Sequence, residues 1–488
     1  PLDVAHSDLV VVWGANPSAS NTHLTPLLDT ARARGAAVVV IDPRRTPTGA
    51  KAQLHLAARP GTDDVLALAT AAELDRLGLI DHAFCDRHAD GAQQFLDAAT
   101  EWTTQRAAEV CGIDAGSITA FAELVGTRSP AMLRMGWGME RNRNGNSSIR
   151  AALGLWVLAG NFSERGAGVI ASTSSAAESD TLADLPGNHV PARVLNMNRI
   201  GEDLLRADPP IRVLFVQGAN PAVMAPEQRK VLDGLAREDL FTVVHEQVMT
   251  DTAAMADIVL PATTYFEHGD DVAVGYGAYS ASPIRQVIAP VGESWTNAQV
   301  AVGLAAALGV DGYQPGQVPP PPVPATAQLT RPNGTVQFGD PSDPAATSPD
   351  GGRARLLLGP GSDPVPRHRP LTSTFPLTLL TPATTKTINS MFGEYDPPSA
   401  VVTMHPDDAS DRGIADGAEV RVFNELAELV LRAKVDASVR PGVVVIPKGL
   451  WRRQLAGGLS ANALVPDDVE HSIGGAVFSD ARVELTPV

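Results

Sequence analysis

Two tetrapeptides in this chain have the residue types to hold a phosphate: Gly14-Ala15-Asn16-Pro17 and Gly218-Ala219-Asn220-Pro221. Each ends a β-branched run, DLVVVWGANP at residues 8–17 and IRVLFVQGANP at 211–221. Glycine lets the backbone come close to a phosphate. Asn can hydrogen-bond a ligand or cap the next helix, and Pro starts that helix without wasting a donor. The helix N-terminus then favours an anion. One such loop is equally well a tight strand-to-helix turn. Two of them argue for ligand binding. Neither reads G-x-G-x-x-G and no G-x-x-x-x-G-K-[ST] occurs, which disfavours ordinary NAD binding and P-loop ATP chemistry.

Other residues invite a chemical reading and its plainer alternative. Asp42 ends the second strand-like run, AVVVID, where an acid can meet a ribose or a guanine. The glycine-rich stretch MLRMGWGMERNRNG at residues 132–145 holds Arg141, Asn142, Arg143 and Asn144. An arginine cluster is more often solvated than catalytic, and such a loop can simply cross between domains. His82, Cys85 and His88 lie three apart. A zinc site needs a fourth ligand and closer spacing, so a helix end with one buried thiol is the better reading.

The elements that must position these residues repeat. Gly14 and Gly218 are 204 residues apart, as are Asp42 and Glu246, and as are Leu56 and Leu260. Three strand-and-loop features at one spacing predict a duplicated α/β unit. Continuous apolar strands alternating with helices predict parallel sheets covered on both faces, with ligands beyond the carboxyl ends of the strands. Residues 147–158 read as an apolar helix. The Pro-rich stretch 313–372, containing PPPPVP, reads as an extended linker. From Thr374 the chain turns to short strands (FPLTLLT, AEVRVFN, AELVLRAKV, GVVVIP), predicting a small β-barrel. Two polar loops in it, TTKTINSMFG and GGLSANAL, either connect strands or close over a ligand held by the α/β units.

Composition bounds the function. With 488 residues there is material for three or four domains. A net charge of −17 argues against a nucleic-acid partner. The longest apolar stretches, such as 300–310, are too short to span a bilayer, and no transmembrane segment is expected. Two cysteines, Cys85 and Cys111, exclude a disulfide framework or an all-cysteine iron–sulfur site within these residues and fit a reducing, cytoplasmic compartment. The start at Pro1, with no leader pattern, reads as a trimmed chain.

The stretches VVVWGANP, VVVIDPRRTPTGAKA, RPGTD, LFVQGANPAVMAP, VVHEQVMTDTAAMADIVLPATTYFE and TMHPDDASDRGIADGAEVRV resemble the molybdopterin oxidoreductases of the dimethyl-sulfoxide-reductase type, which include formate dehydrogenases, nitrate reductases and polysulfide reductases. The resemblance spans nearly the whole chain apart from the Pro-rich stretch. It implies two related, doubly wound α/β domains, at 1–138 and 139–312, and a C-terminal double-psi β-barrel at 373–488. Each α/β domain would bind one molybdopterin guanine dinucleotide, with molybdenum between the two.

Carried over by residue, Trp13, Gly14 and Asn16 would hold phosphate or pterin of one dinucleotide, and Asp42, Gly61 and Asp63 its ribose and guanine. Asn220, His245 and Glu246 would serve the other, with His268 and Asn297 near it. Met135 would sit by the pterin, Thr384 and Asn462 would close over the pterins, and Arg141 would face the substrate. The family's metal ligand and any [4Fe-4S] motif lie upstream of the first G-x-N-P strand, so neither is expected here. The second α/β domain, discontinuous in the family, would have an incomplete sheet. A periplasmic export signal could also lie upstream.

The implied activity is two-electron or oxygen-atom transfer on a small substrate, with an electron-transfer subunit as a possible partner. This stretch alone would bind dinucleotide without catalysing. Two alternatives stand: a cofactor-free scaffold like the large subunit of respiratory NADH dehydrogenase, and a plain nucleotide-binding α/β enzyme.

Overall fold

A computed structural model describes residues 1–162, 164–171, 193–269, 272–274, 280–310, 327–330, 336–338, 353–359 and 362–488. The first β-branched run forms the strand Leu9–Trp13, buried along its whole length. It is the centre of a five-stranded sheet in the order Leu54–Leu56, Ala37–Ile41, Leu9–Trp13, Ala131–Met135, Gly168–Ile170, all parallel. Alternate residues face opposite cores. Leu9, Val11 and Trp13 pack against the helices Asp63–Arg76, Ala115–Thr127 and Gly145–Leu158, while Val10 and Val12 pack against Leu24, Leu28 and Ala31. Helix Asp63–Arg76 is buried nearly all round, which explains its apolar run VLALATAA.

This first unit runs further than the expected boundary at 138/139. Helix Gly145–Leu158 carries Leu155, Trp156 and Leu158 into its core, and Gly168–Ile170 adds its fifth strand. The glycine-rich loop is therefore internal to one sheet and not a crossing between two. The reason is the strand Ala131–Met135 on the far side of Leu9–Trp13: its partner helix and next strand must follow it onto the same sheet.

The second unit is a three-stranded parallel sheet among the described residues: Val213–Gln217, Phe241–Glu246 and Ile258–Pro261. Its register repeats the first sheet with the offset of 204. Trp13 pairs with Ile41, and Gln217 with His245. Ile41 pairs with Leu56, and His245 with Leu260. Val213 and Phe215 on one face are 63% and 37% exposed.

Of the expected linker 313–372, residues 313–326, 331–335, 339–352 and 360–361 lie outside the described residues. Ala327–Thr330 and Val336–Phe338 are strands of a four-stranded antiparallel sheet with Val272–Val274 and Ser280–Pro283. Further on, the chain straps onto the first unit. Ala354 pairs with Ala89, Leu356 enters the core, and His368 Nδ1 lies 3.1 Å from Asp64 Oδ1.

The C-terminal region is a closed six-stranded barrel. The four expected strands are joined by Val401–Met404 and Arg482–Pro487. Alternating exposure along Glu428–Val435 shows one face inward and one outward. The barrel is tied to the first unit by Arg440, whose Nη1 donates to the carbonyls of Ala57 (2.8 Å) and Cys111 (3.0 Å), and by the Arg143–Asp480 pair at 2.8 Å.

Candidate functional site

The strand order reverses between Leu9–Trp13 and Ala131–Met135, and ligands of open α/β sheets bind at such a switch point. Two loops leave the carboxyl ends of these strands and press together. Gly136 N donates to Trp13 O at 2.8 Å and Gly138 N to Gly14 O at 3.0 Å. A Cβ on Gly136 would lie 2.3 Å from the Gly14 carbonyl oxygen, and one on Gly138 2.7 Å from it. No other residue fits here, which gives the glycine-rich stretch a steric reason. Gly14 itself has φ +59°.

Beyond this seam lies a cavity of about 400 Å³, walled by the first unit on one side and by the barrel on the other. Gly14, Asn16, Asp42 and Asp63 line it from the first unit, together with Arg44, Arg59 and Arg134. Trp137 and Arg141 reach it from the glycine-rich loop, and Ile388, Asn389, Lys448 and Phe478 from the barrel. Arg134, Trp137, Lys448 and Phe478 were not singled out from the sequence. Trp137 sat in view between two glycines; Lys448 follows directly on the strand-like run GVVVIP, where a strand-end position was the available signal.

The expected residues fall into groups. Asn16 occupies the N-cap position of the helix Pro17–Ser20 without a side-chain capping bond, and its Oδ1 accepts from Ser18 Oγ at 2.6 Å. Asp42 accepts from Arg44 N at 2.8 Å. Asp63 accepts a 2.6 Å hydrogen bond from Trp13 Nε1, so the Trp13 side chain is in the core and acts on the cavity through Asp63. Burial pushes the Asp63 carboxyl up to about 7, against the Trp13 hydrogen bond that opposes the shift. Gly61 has φ +79°, and its carbonyl accepts from Asn144 Nδ2 at 2.9 Å. Met135 is in the core, one residue short of the lining loop. Arg141 lies between the rings of Trp137 and Phe478, 5.4 Å from each centroid. Burial lowers its pKa.

The second Gly-Ala-Asn-Pro loop reproduces the first. Gly218 has φ +58°, and its N donates to His245 O, as Gly14 N donates to Ile41 O at 204 residues' distance. A Cβ on Gly218 would meet nothing within 4 Å among the described residues. Asn220 is buried; its Oδ1 accepts from Thr252 Oγ1 at 2.7 Å, and its Nδ2 has no hydrogen-bond partner among the described residues. A buried amide without a partner is costly, and an acceptor from a ligand would remove that cost.

His245 is buried with both ring nitrogens engaged. Nε2 donates to Trp295 O (3.2 Å) and Nδ1 accepts from Gln217 Nε2 (3.1 Å). Burial raises the Glu246 pKa. His268 is partly buried, and Asn297 is the exposed first residue of the helix Asn297–Ala307.

The barrel loops close on both units. In TTKTINSMFG, Thr384 Oγ1 accepts from the backbone of Lys386 and Thr387, each at 3.1 Å, and shapes the loop that brings Ile388 and Asn389 to the cavity. In GGLSANAL, Asn462 Nδ2 donates to Val223 O at 2.8 Å, and Ser460 N donates to Gln228 Oε1 at 2.7 Å. Asn462 thus buttresses the helix Pro221–Met224 behind the second loop.

The cavity thus lies at the strand switch point of the first α/β unit and is covered by the barrel. A family model described as molybdopterin oxidoreductase matches residues 2–307, and one described as molydopterin dinucleotide binding domain matches 378–481. The chain is 33% identical to a probable oxidoreductase, YoaE, of Bacillus subtilis, over 100% of this chain and 76% of that protein. It is 27% identical to the dimethyl sulfoxide reductase DmsA of Escherichia coli, over 92% and 67%. An acetylene hydratase from Pelobacter acetylenicus shares the fold, with a TM-score of 0.82 at 22% identity over 99% of this chain and 78% of that one. The chain belongs to the molybdopterin oxidoreductase family and is a molybdenum-dependent redox enzyme with a molybdopterin cofactor.

Proposed function

We propose that this protein binds two molybdopterin guanine dinucleotides, one on each α/β unit, and uses them for two-electron or oxygen-atom transfer on a small substrate. The observation that carries the reading is the strand register repeated at 204 residues, each copy ending in a positive-φ glycine, an Asn and an N1 Pro. The residues fit such a group: among the described residues a Cβ on Gly218 would meet nothing within 4 Å and Asn220 Nδ2 has no hydrogen-bond partner, and the first cavity lies at a switch point.

When bound, the cofactor supplies the chemistry, molybdenum cycling between Mo(IV) and Mo(VI). The chain's residues bind and orient. Gly14, Asn16 and Asp42 would hold one dinucleotide tail, with Gly61 shaping the turn below it. Asp63 would hold a proton or a hydrogen bond at Oδ2, because Trp13 occupies Oδ1. Asn220 would give Nδ2 to the second tail. His245, Asn462 and Thr384 would act as supports, through Trp295, Val223 and the 384–387 turn. Met135 would support the glycine-rich loop from the core, and Glu246, His268 and Asn297 would flank the second tail. Arg141 would face the substrate.

No helix among the described residues is long and apolar enough to cross a membrane. We place the protein in the cytoplasm on its two unpaired buried thiols, and with an electron-transfer subunit, since relatives carry names such as "subunit alpha". A [4Fe-4S] cluster would need thiolates beyond the two present in this chain.

The test is chemical. Protein purified from its source is acid-hydrolysed, and molybdenum, pterin and nucleotide are counted. Two pterins and two GMP per molybdenum are expected. CMP, or one nucleotide per metal, would overturn the reading.

A further inference from the structure

Five cationic side chains line the cavity, Arg44, Arg59, Arg134, Arg141 and Lys448, against the carboxylates of Asp42 and Asp63. The whole chain carries −17, so this is a local reversal of sign. Arg44 is engaged by Asp42 Oδ1 at 3.4 Å, and Arg59 by the Val110 carbonyl at 2.6 Å. Arg141 and Lys448 differ. Among the described residues, no carboxylate forms a salt bridge with either head group.

Both are nonetheless held in place. The rings of Trp137 and Phe478 flank the Arg141 guanidinium, and among the described residues no hydrogen bond engages its N–H groups. Lys448 is 8% exposed, and its N donates to Pro382 O at 3.2 Å. The next residue, Gly449 (φ +78°), lies under the Asn389 carbonyl so closely that a Cβ would be 1.5 Å from it. Trp451 Nε1 then donates to Ser390 O at 2.8 Å. The loop that closes the cavity is thus clamped on the strand end that carries the lysine. Burial and the nearby Arg141 push Lys448 down to about 8. Two like charges kept together away from water are costly, and an anion between them removes that cost.

We infer that Arg141 and Lys448 form one oxyanion-binding pair that sets the enzyme's specificity, and that its substrate is a small oxyanion and not a neutral oxide or sulfoxide. The assignment of this anion as substrate rests on the oxidoreductase reading; the binding itself does not. The same chemistry could come from a phosphate of the cofactor, and the test separates the two.

Nitrate and selenate are titrated calorimetrically into the protein as purified, and into Lys448→Gln, Lys448→Arg and Arg141→Gln, with molybdenum and nucleotide content and melting temperature measured on each. Wild type is expected to bind at least one anion. Lys448→Gln and Arg141→Gln should each weaken that binding by about tenfold or more while keeping wild-type metal and nucleotide content. Lys448→Arg should retain it.

Unchanged affinity in both Gln variants, or no binding to wild type, overturns the proposal. So does loss of bound nucleotide in Lys448→Gln, which would assign the pair to the cofactor. If Lys448→Gln does not fold, Arg141→Gln decides by the same comparison. A wild-type protein without molybdenum would sink the oxidoreductase reading, while the titrations would still decide whether the pair binds an oxyanion.

Discussion

Trp13 Nε1 donates a 2.6 Å hydrogen bond to Oδ1 of Asp63, across 50 residues of sequence. Trp13 ends the central strand, and Asp63 begins the helix that packs on it. The bond occupies one of the two oxygens of a carboxylate that lines the cavity. In Trp13→Phe the carboxyl loses the one side-chain donor it has among the described residues. Denaturant unfolding should show a loss of about 1–3 kcal/mol, and purified protein should carry less nucleotide than wild type. Wild-type stability and loading in this variant would show the bond to be incidental.

Asp63 also predicts a pH dependence. Its carboxyl sits at about 7 in the fold, against the ordinary value of 3.8 for a free aspartate. Between those values the folded chain holds a proton that the unfolded chain has released. The stabilisation is therefore complete below about pH 4 and is lost as pH rises to about 7, by up to roughly 4 kcal/mol at ~1.4 kcal/mol per unit. Unfolding of cofactor-free protein at several pH values should show this fall, and Asp63→Asn should flatten it. Equal slopes in the two proteins would rule the residue out.

The two phosphate loops should respond differently to one methyl group. In Gly14→Ala, the Cβ meets Met139 N at 2.8 Å, with φ at +59°. In Gly218→Ala, φ is +58° but the Cβ meets nothing within 4 Å among the described residues. Gly218→Ala should cost about 1 kcal/mol of backbone strain, and Gly14→Ala distinctly more, with poor yield of folded protein. Thermal melts of the two variants decide it; equal losses would contradict the difference in packing.

Asn462 bonds the barrel to the second unit through Val223 O. Asn462→Ala leaves that buried carbonyl one donor short and should lower stability by about 1–3 kcal/mol. Limited proteolysis should cut the 213–261 region faster in this variant than in wild type. An unchanged cleavage rate would show that the barrel does not support that unit.

Much of this architecture was legible because it is periodic. The duplicated loops, the 204-residue offset and four barrel strands follow from β-branched runs and turn residues, which act locally. The unit boundary was not legible. Residues 132–145 look like a linker in composition, and only their seam with Gly14 reveals glycines chosen for close contact. Individual side chains were harder still. Trp13 and His245 stand where ligand contacts were expected, but their polar atoms are bonded to Asp63, and to Gln217 and Trp295.

By itself, the sequence determined the class of the protein, the two sheets with their repeated register, and the chemistry of the loops. These depend on residue types at fixed spacing. The tertiary structure decided what each side chain does. It buried Trp13, left Asn220 Nδ2 without a hydrogen-bond partner among the described residues, and brought Lys448 and Arg141, 307 positions apart, to one cavity. No local pattern encodes such meetings. They arise when the barrel packs on the sheet, and burial then sets the charge and hydrogen bonding of what it encloses.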